Sequence, residues 1–156
     1  MLRRSMSLRS RAAGLTVLEL MIVTCVVTIF LVLMMPSFRG EVLRVRRADA
    51  LQAIDQVHQG QERWRAQQPA YAASLADLGL AASSPAGHYS VNVATDTASQ
   101  STRYVISATA SGAQAGDALC RHLRMVVDGG LWQESSGPDA SYGNDDTTNR
   151  RCWGRR

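Results

Sequence analysis

From Leu20 to Phe38 the sequence carries no charged residue, close to the roughly 20 apolar residues that a membrane-crossing helix needs. Helix is the form such a run takes in lipid, because it satisfies its own backbone donors and acceptors. Glu19 stands at the head of the run, where a carboxylate facing hydrocarbon costs about 2–3 kcal/mol or more unless it is paired. Upstream, Met1 to Gly14 holds Arg3, Arg4, Arg9 and Arg11 and no acid. A basic flank before an apolar run is ordinarily a membrane anchor with its positive end in the cytoplasm. That accounts for the arginines and the length but leaves Glu19 without a purpose. A secretory signal places its small-residue cleavage site after the apolar core, whereas Gly14 precedes it. Cleavage there removes the charged leader and keeps the apolar helix as a new N-terminus. A lipoprotein site at Cys25 is rejected, because Thr24 is a poor residue before it and the apolar run continues to Met35.

The net charge of +4 says little about partners. All 17 basic residues are arginine, and losing the four in the leader leaves 13 against 13 acidic residues. The basic balance is therefore a targeting feature, and DNA binding is not indicated by it. Arg150, Arg151, Arg155 and Arg156 form a local exception at the tail. His58, His88 and His122 have no cysteine, serine or acid at a spacing that suggests a catalytic site, and no phosphate-binding glycine loop appears. Asp139, Asp145 and Asp146 carry the oxygens calcium takes, but their spacing fits no EF-hand, and an acidic solvated loop is the expectation. No enzyme, cofactor or metal is expected. Cys25 lies within the apolar run as a small hydrophobe. Cys120 and Cys152 are open to a bridge in an oxidising compartment or to free or metal-bound thiols, without any nearby Cys-x-x-Cys spacing.

After Pro36, which is expected to kink the helix or interrupt its hydrogen bonding, the pattern turns amphipathic. Leu43, Ala50, Leu51, Ile54, Val57 and Trp64 fall on one helical face. Arg44, Gln52, Asp55, Gln56, Gln59 and Glu62 fall largely on the other. Gln67-Gln68-Pro69 ends the helix. Pro69 to Gly87 reads as a connection with a short helix at Leu75 to Leu80, capped by Ser74 with Asp77 three residues on. The period then becomes two. Strands are expected at His88 to Thr95, Arg103 to Ala110 and Leu119 to Asp128. A short fourth at Leu131-Trp132 follows the Asp128-Gly129 hairpin signal. Glu134 to Asn149 reads as loop. The sum is one α+β domain: a long N-terminal helix, transmembrane then amphipathic, packed on a three- to four-stranded antiparallel sheet.

Gly14-Leu15-Thr16-Val17-Leu18-Glu19, continuing through Leu20-Met21-Ile22-Val23 to Pro36, resembles the start of the type IV pilins, most like minor pilins of the PilE type. Their class III leader ends in Gly before a hydrophobic residue, Thr, two aliphatics and Glu. The resemblance implies the pilin fold. It also implies a division into leader 1–14, transmembrane and assembly helix 15–38, amphipathic half 39–68, and a head 69–156 with a C-terminal disulfide loop, pairing Cys120 with Cys152. A loop of that size would contribute roughly 3–4 kcal/mol in the chain-entropy model. It implies cleavage after Gly14 by prepilin peptidase and N-methylation of Leu15, where the family usually has Phe. Assembly would then pass through an inner-membrane platform into a filament, with Glu19 meeting the Leu15 amine of another pilin subunit and Pro36 shaping the helix. The implied function is a structural subunit serving motility, adhesion or DNA uptake, resident in the inner membrane with its head in the periplasm and then in the extracellular pilus. The alternatives are a type II secretion pseudopilin or an anchored periplasmic binding module that never polymerises.

Overall fold

The structure, a computed structural model, describes residues 16–155, without the side chains of residues 34–37. Gly14 and Leu15 lie outside the described residues, as does the side chain of Pro36. The elements run α1 (Val17–Arg65), β1 (Tyr89–Ala94), β2 (Arg103–Ala110), a 3-10 turn (Gly112–Gly116), β3 (His122–Asp128), β4 (Leu131–Gly137) and α2 (Asp146–Cys152). The chain divides into two compact units, Met1–Phe38 and Arg39–Arg156.

In the first unit the helical residues from Val17 to Leu33 expose their apolar side chains on every side, with Val17 at 77% and Val26 at 45%. The two hydroxyls within the stretch are satisfied locally: Thr24 Oγ1 donates to the Met21 carbonyl at 2.9 Å and Thr28 Oγ1 to the Thr24 carbonyl at 2.7 Å. This removes the polar cost that a threonine would bring to apolar surroundings.

In the second unit the four strands form one antiparallel meander in the order β1-β2-β3-β4. Alternation sets what faces the core: Tyr89, Val91 and Val93 of β1, Tyr104, Ile106 and Ala108 of β2, and Leu123 and Val127 of β3 are buried. They close on Ala50, Ala53, Ile54 and Val57 of α1 in one cluster. The predicted polar positions of this helical segment, from Arg44 to Glu62, are all exposed, while Leu43, Leu51 and Trp64 are only half-buried. Asp128 pairs with Leu131 across a two-residue turn. Gly129 and Gly130, at φ 57° and 83°, adopt the left-handed pair that a type I′ turn requires and that glycine tolerates best.

The structure corrects four expectations. Leu75 to Leu80 is a run of turns and not a helix. The capping pair does form, Ser74 N–H donating to Asp77 Oδ2 at 3.0 Å and Asp77 N–H to Ser74 Oγ at 3.2 Å. Gly79, at φ 67°, then reverses the chain before a second turn can add its bonds. β3 begins at His122, since Leu119 faces solvent at 53% and Cys120 turns inward to its partner. β4 is longer than two residues: once the turn fixes the register, Gln133 to Gly137 pair along β3 despite weak intrinsic preference for strand. Glu134 to Asn149 is consequently not all loop, and α2 begins within it. Asp145 caps α2, its carboxylate accepting from Thr148 N–H at 2.6 Å.

Candidate functional site

The candidate sites lie in the two units separately. In the first, Glu19 sits in the first turn of α1, its N–H donating to Thr16 Oγ1 at 3.2 Å, and no ion pair to it forms among the described residues. A carboxylate on an otherwise apolar exposed helix is costly in apolar surroundings unless it is paired. Among the described residues no single helix is long and apolar enough to count alone as a membrane span, although Val17–Leu33 and Phe38–Arg65 pass together by length and composition.

In the second unit, Cys120 and Cys152 are joined by a disulfide, with Cα atoms 5.5 Å apart, and Cys25 is free and exposed. Both bridged residues are buried, at 2% and 1%. The bridge ties the end of α2 to the start of β3. Further bonds pin the loop between: Asn144 Nδ2 donates to the Leu119 carbonyl at 2.8 Å and Asn149 Nδ2 to the Glu134 carbonyl at 2.9 Å. Gly137 is required here, because a Cβ at that position would lie 2.7 Å from Tyr142 Cα. Tyr142 itself, at φ 57°, lies under the Arg124 guanidinium at 4.2 Å and edge-on to His122. The outer face of β2 and β3 thus carries Ser107, Thr109, His122 and Arg124 beside this folded-back loop.

Of the acidic residues weighed for calcium, Asp139 receives Ser141 N–H at 2.8 Å and Asp145 caps α2. The Ser141 hydroxyl and N–H hold the Asp139 carboxyl below its usual range, and the Thr148 N–H and hydroxyl do the same for Asp145. Among the described residues no three His, Cys, Asp or Glu side chains gather as metal ligands. Of the histidines, His58 Nδ1 meets the Tyr104 hydroxyl and His122 Nδ1 lies 3.3 Å from Thr109 Oγ1.

Sequence periodicity missed a set of polar residues that fasten α1 to the head. Asp49, nine-tenths buried, accepts from Ser84 Oγ, Ala86 N–H at 2.8 Å and His88 N–H at 3.2 Å. Burial alone would push its carboxyl up, and these bonds, with the His88 ring, hold it below the usual value. Gln61, fully buried, pairs with Ala72 as a strand would, donating to its carbonyl at 2.9 Å and accepting its N–H at 2.8 Å. Arg47 makes a two-point contact with Asp117, Nη2 to Oδ1 at 3.0 Å. Gln114 joins the Leu43 carbonyl and the Tyr89 hydroxyl, each at 3.0 Å. Burial pushes that tyrosine's pKa up to about 12. The only signal in the sequence was polar residues at core-facing helix positions, which periodicity counts as exceptions.

A pilin-type helix, a four-stranded meander and a C-terminal disulfide loop agree with the comparison to known proteins. No curated protein matches the chain. A family model described as "Type IV minor pilin ComP, DNA uptake sequence receptor" matches residues 36–124, from the base of the amphipathic segment into β3. That is more than half of the sequence, and the chain belongs to this family of type IV minor pilins.

Proposed function

We propose that the protein is a minor subunit of a type IV pilus, held in the inner membrane by residues 15–38 and then built into an extracellular filament through the same helix. The observation that carries this reading is Glu19, a carboxylate on an exposed apolar helix with no ion-pair partner among the described residues. In a bundle of such helices, the amine of Leu15 from a neighbouring subunit supplies the opposite charge. The pair then sets axial register more than bulk stability, since losing one member of a buried pair costs roughly 3–5 kcal/mol. Prepilin peptidase would cut after Gly14 and methylate Leu15, the assembly platform would move the subunit into the filament, and Pro36 would shape the helix. The subunit's role is structural and not enzymatic, as in its family.

The test is Glu19→Val, expected to be cleaved and inserted as wild type is, yet depleted from sheared filaments, with Glu19→Asp giving a partial defect. Equal incorporation of Glu19→Val and wild type would remove the pairing argument. Wild type absent from every filament would favour an anchored module, and loss of secretion without loss of pili would favour a pseudopilin.

The family description names a DNA uptake sequence receptor, which supports DNA uptake over motility or adhesion as this pilus's task. Arg103 and Arg124 lie within the matched span, on β2 and β3. Charge there acts on phosphates whatever the base sequence. Arg103→Gln with Arg124→Gln is expected to lower transformation and duplex binding while piliation persists. Unchanged transformation would remove this part of the reading.

A further inference from the structure

A basic cleft of about 390 Å³ opens within the second unit, walled by Glu41, Arg44 and Arg47 of α1 and by Arg151, Gly154 and Arg155 at the end of α2. Its arginines are unequally neutralised. Arg47 is held by the buried Asp117 and Arg155 by Glu134. Arg44 meets Glu41 at 3.8 Å with both side chains at least 60% exposed, a pairing of little strength. Arg151 has no carboxylate within salt-bridge distance among the described residues. Arginines in the last turn of α2 favour the helix dipole, but that does not require them to face Arg44 and Arg47. What brings them there is the ending of α2. Gly154, at φ 68°, lets the chain double back so that Arg155 N–H donates to the Arg150 carbonyl at 2.8 Å, a Schellman closure. Cys152, bridged to Cys120, fixes this wall beside α1.

We infer that this cleft binds the phosphate of an anionic lipid headgroup. Guanidinium matches phosphate oxygens in two-point geometry. The position selects lipid as the source: Glu41 follows Phe38, the last residue of the apolar run, by three positions, so in an anchored subunit the cleft opens at headgroup depth, where basic pockets take anionic lipid. The inference rests on the membrane anchor proposed above.

The test uses the full chain. It is first reconstituted into phosphatidylcholine nanodiscs, which the anchor reading alone requires; failure to enter them would overturn that reading. In nonionic detergent it is then titrated with dioctanoyl phosphatidylglycerol, dioctanoyl phosphatidylcholine or glycerol 3-phosphate, and lipid retention is counted by native mass spectrometry. One phosphatidylglycerol is expected to be held about tenfold more tightly than phosphatidylcholine, a difference within reach of one or two added guanidinium contacts. Arg44→Gln with Arg151→Gln is expected to erase the preference while leaving the melting temperature and the disulfide unchanged. Equal retention of the two lipids, or a preference that survives the double variant, would overturn the cleft assignment. Glycerol 3-phosphate bound as tightly as the lipid, or a short DNA duplex displacing the lipid at equal concentration, would overturn lipid as the occupant.

Discussion

The helical residues before and after Phe38 share one backbone geometry and meet their surroundings in opposite ways. Ile29 is 60% exposed in a stretch whose two threonine hydroxyls are settled locally, whereas Ile54 is 1% exposed in a core cluster that includes side chains of three strands. The later segment carries its own solvent, the head, and adds polar fastenings at Asp49 and Gln61 that only a folded partner can satisfy. The earlier one has apolar surface all round and a single carboxylate, which meets no ion-pair partner among the described residues. The placing of polar groups distinguishes them as clearly as hydrophobicity does.

The sharpest break of that comparison is a matched pair of substitutions. Ile54→Ala is expected to destabilise the head by about 2–5 kcal/mol through lost burial and a cavity, while Ile29→Ala leaves it unchanged. Denaturant unfolding of the full chain in detergent, followed by near-UV circular dichroism, reads both, and equal costs would erase the distinction. Cysteine offers a second pair: Cys120→Ser with Cys152→Ser is expected to cost roughly 3–4 kcal/mol, and Cys25→Ser nothing, by the same measurement. Glutamine sharpens the comparison within the second segment. Gln61→Leu strands the Ala72 N–H and carbonyl and is expected to cost about 1–3 kcal/mol, whereas the exposed Gln52→Leu should stay within about 0.5 kcal/mol. The smallest effect is a slope. Asp49 is held below its ordinary value of 3.8, so its contribution is present above that pH and fades as pH falls through the lower folded value. A series of melting temperatures in acid should show wild type losing this increment and Asp49→Asn lacking it; parallel slopes would show that the carboxylate is not linked to folding.

Much of the head was legible because single-period patterns govern it. Tyr89, Val91 and Val93 alternate, and Ala50, Ile54 and Val57 recur at helical spacing, so burial followed from counting. β4 and α2 were not legible. Gln133 to Gly137 pair because a glycine turn and β3 fix their register, and α2 exists because Asp145 caps it and Cys152 anchors it. The partners of Arg47 and Asp49 lie 70 and 35 residues away, beyond any window of local periodicity. The cleft drew on the tail arginines, which composition showed as a cluster without saying what they would face. The Gly14 junction and Glu19 carry the family resemblance in the sequence itself.

The meander has a bearing on the order in which the head assembles. Each strand pairs with its sequence neighbour, so the sheet is made of short-range closures, which form fast. Two of the fastenings of α1 are long closures by comparison, 35 residues for Asp49 to Ser84 and 70 for Arg47 to Asp117, and their entropy is recovered only once both sides of the contact are in place. Late-forming contacts govern the rate of unfolding more than the rate of folding. The Arg47 and Asp49 fastenings therefore act as latches on a finished head: weakening them shortens its lifetime while leaving the speed of its formation nearly untouched.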